Sequence, residues 1–138
     1  MNTNDNCYIG LGRRKEATAR VRLKAGSGKS QIESKNNQNR ELQEYFSMES
    51  SLCQNIHHPL QLFNKEKNYD LLIRVKGGGF HSQSQAIQLA VARALIKVSP
   101  ESKATLQNFN LLEQDNRRVE RKHTGKKKAR KETQFSKR

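Results

Sequence analysis

Alternating apolar and polar residues predict the strands of this protein. In residues 17–24 every second position is apolar and would face a core, while threonine, arginine and lysine face solvent. Residues 69–75 are apolar enough to lie centrally in a sheet. A shorter strand over 8–12 is expected to end in a glycine corner, and residues 25–28 are expected to form a hairpin turn that returns through 31–33.

Apolar residues spaced four apart predict the main helix. Over residues 86–95, alanines run beside isoleucine, valine and leucine and form one apolar stripe. Ser82 or Ser84 can cap the first turn of this helix. Serine, proline and glutamate at 99–101 favour the start of another helix, with the serine as its cap, that runs to about residue 108.

The middle of the chain is more polar. Residues 34–40 are expected to form a loop, followed by short helices over 41–46 and 48–56. The second helix is expected to end at residues 57–59, His-His-Pro, because proline lacks the amide that a helix interior requires. After Leu112 the apolar periodicity stops.

Positive charge is concentrated in two segments of the chain. There are 27 lysines and arginines against 13 acidic residues; residues 117–138 carry a net charge of +9 and residues 10–29 one of +6. A run of like charge is often only a solvated, disordered arm. This excess goes beyond what solubility requires, and a basic arm gains affinity for a polyanion by releasing its counterions. We therefore expect a globular domain over 1–112 and an extended basic tail over 113–138.

Two basic or flexible surfaces are candidates for phosphate contact. Residues 13–15 (Arg-Arg-Lys) adjoin Arg20 and Arg22, whose guanidinium groups suit bidentate contacts, although a solvated loop is the alternative. Three glycines at 77–79 can aim amides at a nucleic-acid backbone, although a tight turn with close packing explains them too. They do not form a nucleotide-binding motif, because no Lys-Ser/Thr follows. Phe135 in the tail can stack on a base or pack on a neighbouring protein.

The sequence shows no convincing active site or membrane span. Cys53 and His57 share a helix face, but His58 and His81 are not spaced to complete a metal or nucleophile site. No pair of carboxylates stands in an acid/base setting. No apolar run approaches 18 residues. We therefore expect no enzyme activity, cofactor, metal, small-molecule substrate or membrane partner, and two cysteines that stay reduced.

Four motifs, in order, resemble the small-subunit ribosomal protein nine family of bacterial and organellar type. They are GLGRRKEATARV (10–21), KGGGFHSQSQAI (76–87), QDNRRVERK (114–122), and the tail segments GKKKAR (125–130) and QFSKR (134–138). They match the opening motif, the glycine loop, the entry to the tail and the tail itself. The match extends from the first strand to the last residue.

The chain departs from the family pattern at a few positions. Ser82 stands where the family usually has glycine, and Ser84 stands where it has alanine. Gln114 and Asn116 replace small residues, and residues 36–40 are divergent. The resemblance nevertheless implies the family's α/β fold, an α+β two-layer sandwich. This has a mixed four-stranded sheet, two main helices, a left-handed β-α-β crossover against the usual right-handed rule, and an extended basic C-terminal tail.

The resemblance also implies a structural role in the head of the small ribosomal subunit. The domain would bind small-subunit rRNA beside other ribosomal proteins of the head, and the tail would thread through the RNA to peptidyl-site tRNA. The implied rRNA contacts are Arg13, Arg14, Lys15, Arg20, Arg22, Lys76, Gly77, Gly78, Gly79, Gln83, Arg117, Arg118, Arg121, Lys122, Lys126, Lys127, Lys128 and Arg130. The implied tRNA contacts are Ser136, Lys137 and Arg138.

Two other classes of function compete with this interpretation. Charge alone would suit a free nucleic-acid chaperone or DNA-compacting protein, and the glycine loop would suit a small enzyme. The sequence shows no recognition helix with a basic face, which counts against the nucleic-acid chaperone. It shows no acid/base pair, which counts against the enzyme. The ribosome is therefore the expected location. A polar N-terminus without a targeting pattern, together with 12 asparagines and 11 glutamines, favours the plastid stroma, with bacterial cytoplasm as the alternative.

Overall fold

The protein folds around one five-stranded sheet. The computed structural model describes residues 7–33, 39–47 and 49–137. Its strands are β1 (Cys7–Arg14), β2 (Ala17–Ala25), β3 (Ser30–Glu33), β4 (Asn39–Glu41) and β5 (Tyr69–Lys76). Its helices are α1 (Leu42–Tyr45), α2 (Ser50–Gln61), α3 (Phe80–Val98) and α4 (Ser102–Asn108), with a short 3-10 helix at Glu66–Asn68.

The sheet is mixed, as expected for the α/β fold. Its strand order is β1-β2-β5-β3-β4, in which the neighbours β5 and β3 are paired in parallel and the other three neighbouring pairs are antiparallel. The chain between these two strands passes through α1 and α2, as a β-α-β crossover requires. Helix α3 packs on β1 and β2, and α2 packs on α3. The fifth strand is β4, which begins where residues 34–40 were expected to form only a loop; residues 34–38 lie outside the described part.

The two strongest strand predictions are confirmed. In β2 the apolar positions Ala17, Ala19, Val21 and Leu23 are all buried, and the intervening side chains face the other side of the sheet. Strand β5 lies centrally between β2 and β3. Both predictions depended only on the order of apolar and polar residues along one strand, and that order decides which side chains are buried in the sheet.

The expected hairpin between β2 and β3 is wrong. Strand β3 pairs with β5 and β4, so β5 separates it from β2. The turn at 25–28 is instead held by Asp70 at the start of β5. Its Oδ1 accepts the backbone N–H groups of Ser27, Gly28 and Lys29 at 2.8–2.9 Å, which wraps the turn around the start of β5. These bonds hold the pKa of Asp70 below its ordinary value.

The expected end of the first strand in a glycine corner by residue 12 is also wrong, because β1 continues through both glycines to Arg14. Gly10 and Gly12 are buried beneath α3. A Cβ atom at Gly10 would stand 1.9 Å from the carbonyl oxygen of Ala90, and one at Gly12 would stand 2.0 Å from that of Ala86. The glycines therefore permit close contact between helix and strand rather than a turn.

Helix α3 carries the predicted apolar stripe but not the predicted cap. Ala86, Ala90 and Ala94 are fully buried, as the spacing indicated. Gly79 precedes the first turn, and no side chain caps it. Ser84 is buried instead, and its hydroxyl donates to the carbonyl oxygen of Leu52 at 2.9 Å, joining α3 to α2.

Two helix boundaries differ from the sequence prediction, whereas α1 lies within its predicted range. Helix α2 continues to Gln61 with Pro59 inside it, because the face that bears Ile56 and Leu60 remains buried past the proline. Helix α4 begins at Ser102, after a turn in which the Ser102 N–H donates to the carbonyl of Ser99 at 3.1 Å. Ser99 therefore contributes its carbonyl rather than a side-chain cap. None of the helices described is long and apolar enough to cross a membrane.

Beyond Leu112 the described residues form neither helix nor strand. The tail is nevertheless folded back in part. Gly125 has a φ of 79°, the Lys127 N–H donates to the carbonyl of Lys131 at 2.8 Å, and Arg130 pairs with Glu120. Residues 120–131 thus form a loop within the tail, which we call the tail loop.

Candidate nucleic-acid interface

The face of the sheet opposite the helices carries several exposed cationic side chains. Arg20 of β2 lies across from Arg74 of β5, and Thr18 lies between Arg13 of β1 and Lys76 of β5. Arg13, Arg20, Arg74 and Lys76 are exposed. Because strand pairing fixes their backbones, these cations form a rigid surface, which we call the basic face.

Arg74 was not singled out from the sequence, although the pattern of β5 indicates its position. It stands between inward-facing Ile73 and Val75, so it must point outward. Arg74 forms an ion pair with Glu33, and its Nε donates to Glu33 Oε2 at 3.0 Å. This hydrogen bond lowers the pKa of Glu33, so an ionised carboxylate sits at one side of the basic face.

The β1–β2 turn brings the basic face to the tail. Lys15 has a φ of 52° and is exposed, and Glu16 follows it. Arg118 Nη1 lies 3.3 Å from a carboxylate oxygen of Glu16. The start of the tail therefore contacts the same turn that ends the basic face.

Arg14 and Asp115 join the domain to the tail. Arg14 Nε donates to Gln85 Oε1 at 2.9 Å, Nη1 donates to the carbonyl of Arg117 at 3.2 Å, and Nη2 lies 3.0 Å from Asp115 Oδ2. The Arg117 backbone N–H also donates to Asp115 Oδ1 at 2.9 Å. The arginines, Arg117 foremost, lower the pKa of Asp115 to about 2. We call Arg14, Gln85, Asp115 and Arg117 the tail clasp.

Close packing requires two of the three glycines. Gly77 and Gly78 have φ values of 71° and 69°, and a Cβ atom on either would approach residue 16 or 17 within 2.8 Å. Gly79 has no such neighbour. Gln83, expected to contact RNA, is only 8% exposed: its Nε2 donates to the carbonyl of Gly77, while Tyr45 donates to its Oε1. It supports the glycine loop from behind.

Ion pairs and hydrogen bonds close the tail loop, and basic side chains project from it. Arg130 Nη2 donates to Glu120 Oε1 at 2.9 Å, and its Nε donates to Oε2 at 3.0 Å. Lys126 Nζ lies 3.4 Å from Glu132. The side chains of Arg121, Lys122, Lys127 and Lys128 are exposed. Beyond the loop, Phe135 is 88% exposed, Ser136 and Lys137 are exposed, and Arg138 lies outside the described residues.

Cys53 and His57 lie on one face of α2, as their spacing indicated. Burial raises the pKa of the Cys53 thiol and lowers that of the His57 imidazole. His57 Nε2 lies 3.4 Å from the Ser30 hydroxyl. Within the described residues, no group of three histidine, cysteine or acidic side chains is arranged to hold a metal ion.

Comparison with known proteins decides the family. The model of the family described as "Ribosomal protein S9/S16" matches residues 12–138. The chain belongs to this family. A protein of Synechococcus sp. strain JA-3-3Ab, named small ribosomal subunit protein uS9, is 45% identical over 131 residues, covering 95% of this chain and 92% of that one. One of the same name from Parabacteroides distasonis is 48% identical over 129 residues, covering 93% and 95%.

Family membership confirms the resemblance drawn from the four motifs. Ribosomal proteins of the S9/S16 family are structural components and not enzymes. The Ser84 departure from the family pattern is accommodated by the hydrogen bond to α2. The divergent segment 36–40 lies mostly outside the described residues, with Asn39 and Arg40 in β4.

Proposed function

We propose that this chain is a structural constituent of the head of the small ribosomal subunit and binds small-subunit rRNA through the basic face and the tail. The observation that carries the proposal is the continuity of these two surfaces at the β1–β2 turn. Arg13 and Arg20 lie on the face, and Arg118 at the start of the tail pairs with Glu16 in the turn between β1 and β2, so the cations of the face and of the tail adjoin at this turn. Phosphates neutralised by these cations release counterions, which favours binding independent of base sequence.

The domain and the tail would bind RNA in different ways, because the domain contains the sheet and helices whereas the described residues of the tail form neither. The domain, residues 1–112, would supply a rigid docking surface, and the tail, residues 113–138, would follow RNA where the domain cannot reach. In the tail loop, Arg121, Lys122, Lys127 and Lys128 project outward and would each meet phosphate. Other proteins of the subunit head would be its protein neighbours.

The end of the tail would contact peptidyl-site tRNA through Ser136, Lys137 and Arg138. A residue spans at most about 3.3–3.6 Å, so residues 117–138, fully extended, would reach roughly 70–80 Å. The tail loop shortens this reach, and opening it would lengthen the arm. Contacts between cations and the tRNA backbone suit a site that every tRNA visits, because they do not depend on base sequence.

Sedimentation of a tagged chain from its native lysate tests the assignment to the subunit. We expect co-migration with the small subunit that resists a high-salt wash and DNase but is abolished by RNase. Sensitivity to DNase instead would favour a free DNA-compacting protein. Sequencing the rRNA in that fraction decides the location, for which we propose plastid ribosomes, with bacterial ribosomes as the alternative.

The salt dependence of rRNA binding tests the basic face. Arg20→Gln should lower the slope of log affinity against log salt by ~0.7–0.9, the value for one lost phosphate contact. Lys103→Gln on α4 removes an equal charge from the helical side of the domain and serves as the matched control. Equal slopes for the two variants would refute the role of the basic face.

Deletion of residues 136–138 tests the role of the tail end. We expect the truncated chain to enter subunits normally and tRNA to dissociate faster from the peptidyl site. Failure to enter subunits would show that these residues serve assembly instead.

A further inference from the structure

The tail clasp places an acidic side chain where a basic RNA-binding arm begins. Asp115 lies three residues beyond Leu112, and its side chain, which is 32% exposed, forms an ion pair with Arg14 of the domain. Its two oxygens are engaged by Arg14 from β1 and by Arg117 from the tail itself. The carboxylate therefore joins the end of a strand to the start of the tail.

Arg14 is committed to this contact. Its side chain is 17% exposed, and all three guanidinium nitrogens have partners, on Gln85, on the Arg117 carbonyl and on Asp115. Those partners come from α3 and from the tail. A guanidinium held in this way fixes the position of the tail and is not available to bind a phosphate.

We propose that Asp115 is a positioning residue for RNA binding, which fixes the direction in which the tail leaves the domain through the tail clasp. The inference rests on the RNA binding proposed above. A tail whose origin is fixed has fewer conformations to lose when it binds, and this lowers the entropic cost of ordering it. Arg14 and Arg117, expected from the sequence to contact rRNA, are assigned to the clasp.

Simple electrostatics predicts the opposite effect of removing the Asp115 charge. A loosely tethered cationic arm should bind RNA as well or better when it loses a negative charge. The clasp predicts weaker binding for Asp115→Asn, by about tenfold, which corresponds to the ordering of roughly one further backbone residue. The sign of the change therefore separates the two explanations.

Glu113 supplies a matched control two residues away. It is exposed and makes no hydrogen bond or ion pair with any residue that the structure describes. Glu113→Gln removes the same charge from the same segment but leaves the clasp intact. Asp115→Glu keeps the charge and should recover part of the binding lost in Asp115→Asn.

Distance measurements between spin labels test the clasp without RNA. Exposed Cys7 takes one label, Val119→Cys (Val119 is 92% exposed) takes the other, and buried Cys53 stays unlabelled in the folded chain. We expect a narrow distribution of distances in the parent and in Glu113→Gln, and a broad one in Asp115→Asn. Thermal unfolding of each variant confirms that the domain is folded.

Binding to small-subunit rRNA transcribed in vitro completes the test. A broader distance distribution together with about tenfold weaker binding in Asp115→Asn supports the positioning role. An unchanged distribution, or a broader one with binding equal to that of Glu113→Gln, overturns it. If the parent chain itself fails to bind the rRNA, the proposed function is wrong, while the label distances still report on the clasp.

Discussion

Replacing either buried glycine of β1 with alanine should sharply destabilise the domain. At Gly12 the new methyl group would lie 2.0 Å from the carbonyl oxygen of Ala86, where ordinary contact begins near 3.4 Å. The strand and α3 must therefore separate by roughly 1.4 Å at that point. Gly10 meets Ala90 at 1.9 Å in the same way.

The magnitude follows from what the methyl group meets. Its neighbours are backbone atoms of α3, which no change of rotamer can move, so we take the upper end of the range for overpacking, about 3 kcal/mol. Alanine recovers about 0.5–1 kcal/mol because it restricts the unfolded chain more than glycine does. Each substitution should thus lower the free energy of unfolding by about 2–2.5 kcal/mol.

Urea unfolding of the free protein, followed by far-ultraviolet circular dichroism, measures this loss. Gly79→Ala is the matched control, because its methyl group would meet no atom within 4 Å, and it should cost less than about 1 kcal/mol. The double variant at Gly10 and Gly12 should cost less than the sum, because one displacement of α3 relieves both clashes. Ala90→Gly should not rescue Gly10→Ala, because the obstacle is a carbonyl. Equal midpoints for Gly12→Ala and Gly79→Ala would refute the reasoning.

Three further substitutions test single contacts. Asp70→Ala should lower the free energy of unfolding by about 1–2 kcal/mol. In the folded parent the pKa of Asp70 lies below the ordinary 3.8, so the parent loses this stabilisation as pH falls below about 4. Melting temperatures measured at a series of pH values should therefore fall less steeply in acid for the variant than for the parent. Ser84→Ala should lower the free energy of unfolding in urea by about 1 kcal/mol, through loss of the bond to Leu52; an unchanged value would contradict that bond's role. Glu120→Gln should open the tail loop and speed hydrogen exchange at the Lys127 amide, although it removes no contact of that amide itself.

Local patterns predicted β2, β5 and the main helix, because each depends on neighbouring residues. The order of the strands was not predictable in this way. Turn residues at 25–28 indicated a hairpin, but the group that organises them is Asp70, more than 40 residues further along the chain. A local turn signal cannot show which strand will fill the gap beside β2.

In the candidate site, too, local patterns predicted some residues, whereas the roles of others depend on contacts distant in sequence. The outward arginines of β2 were evident from alternation alone, and the same rule places Arg74 beside them. The partners of Arg14 lie 71 and 103 residues away, so its role in the clasp depends on tertiary structure. Charge counts in the sequence treat Arg14 and Arg20 alike, whereas folding buries most of one and exposes the other.

The outer edge of β1 has a consequence for the protein before it is assembled. Among the strands that the structure describes, β1 has a partner on one side only, and Lys97 and Arg93 of α3 donate to its carbonyl oxygens at Ile9 and Leu11, at 2.6 and 2.8 Å. Cationic side chains that cover these carbonyl oxygens hinder pairing with a strand of another molecule, and their charges repel a second copy of this chain. A newly made chain waiting for RNA is thereby protected at this edge against sheet-to-sheet aggregation.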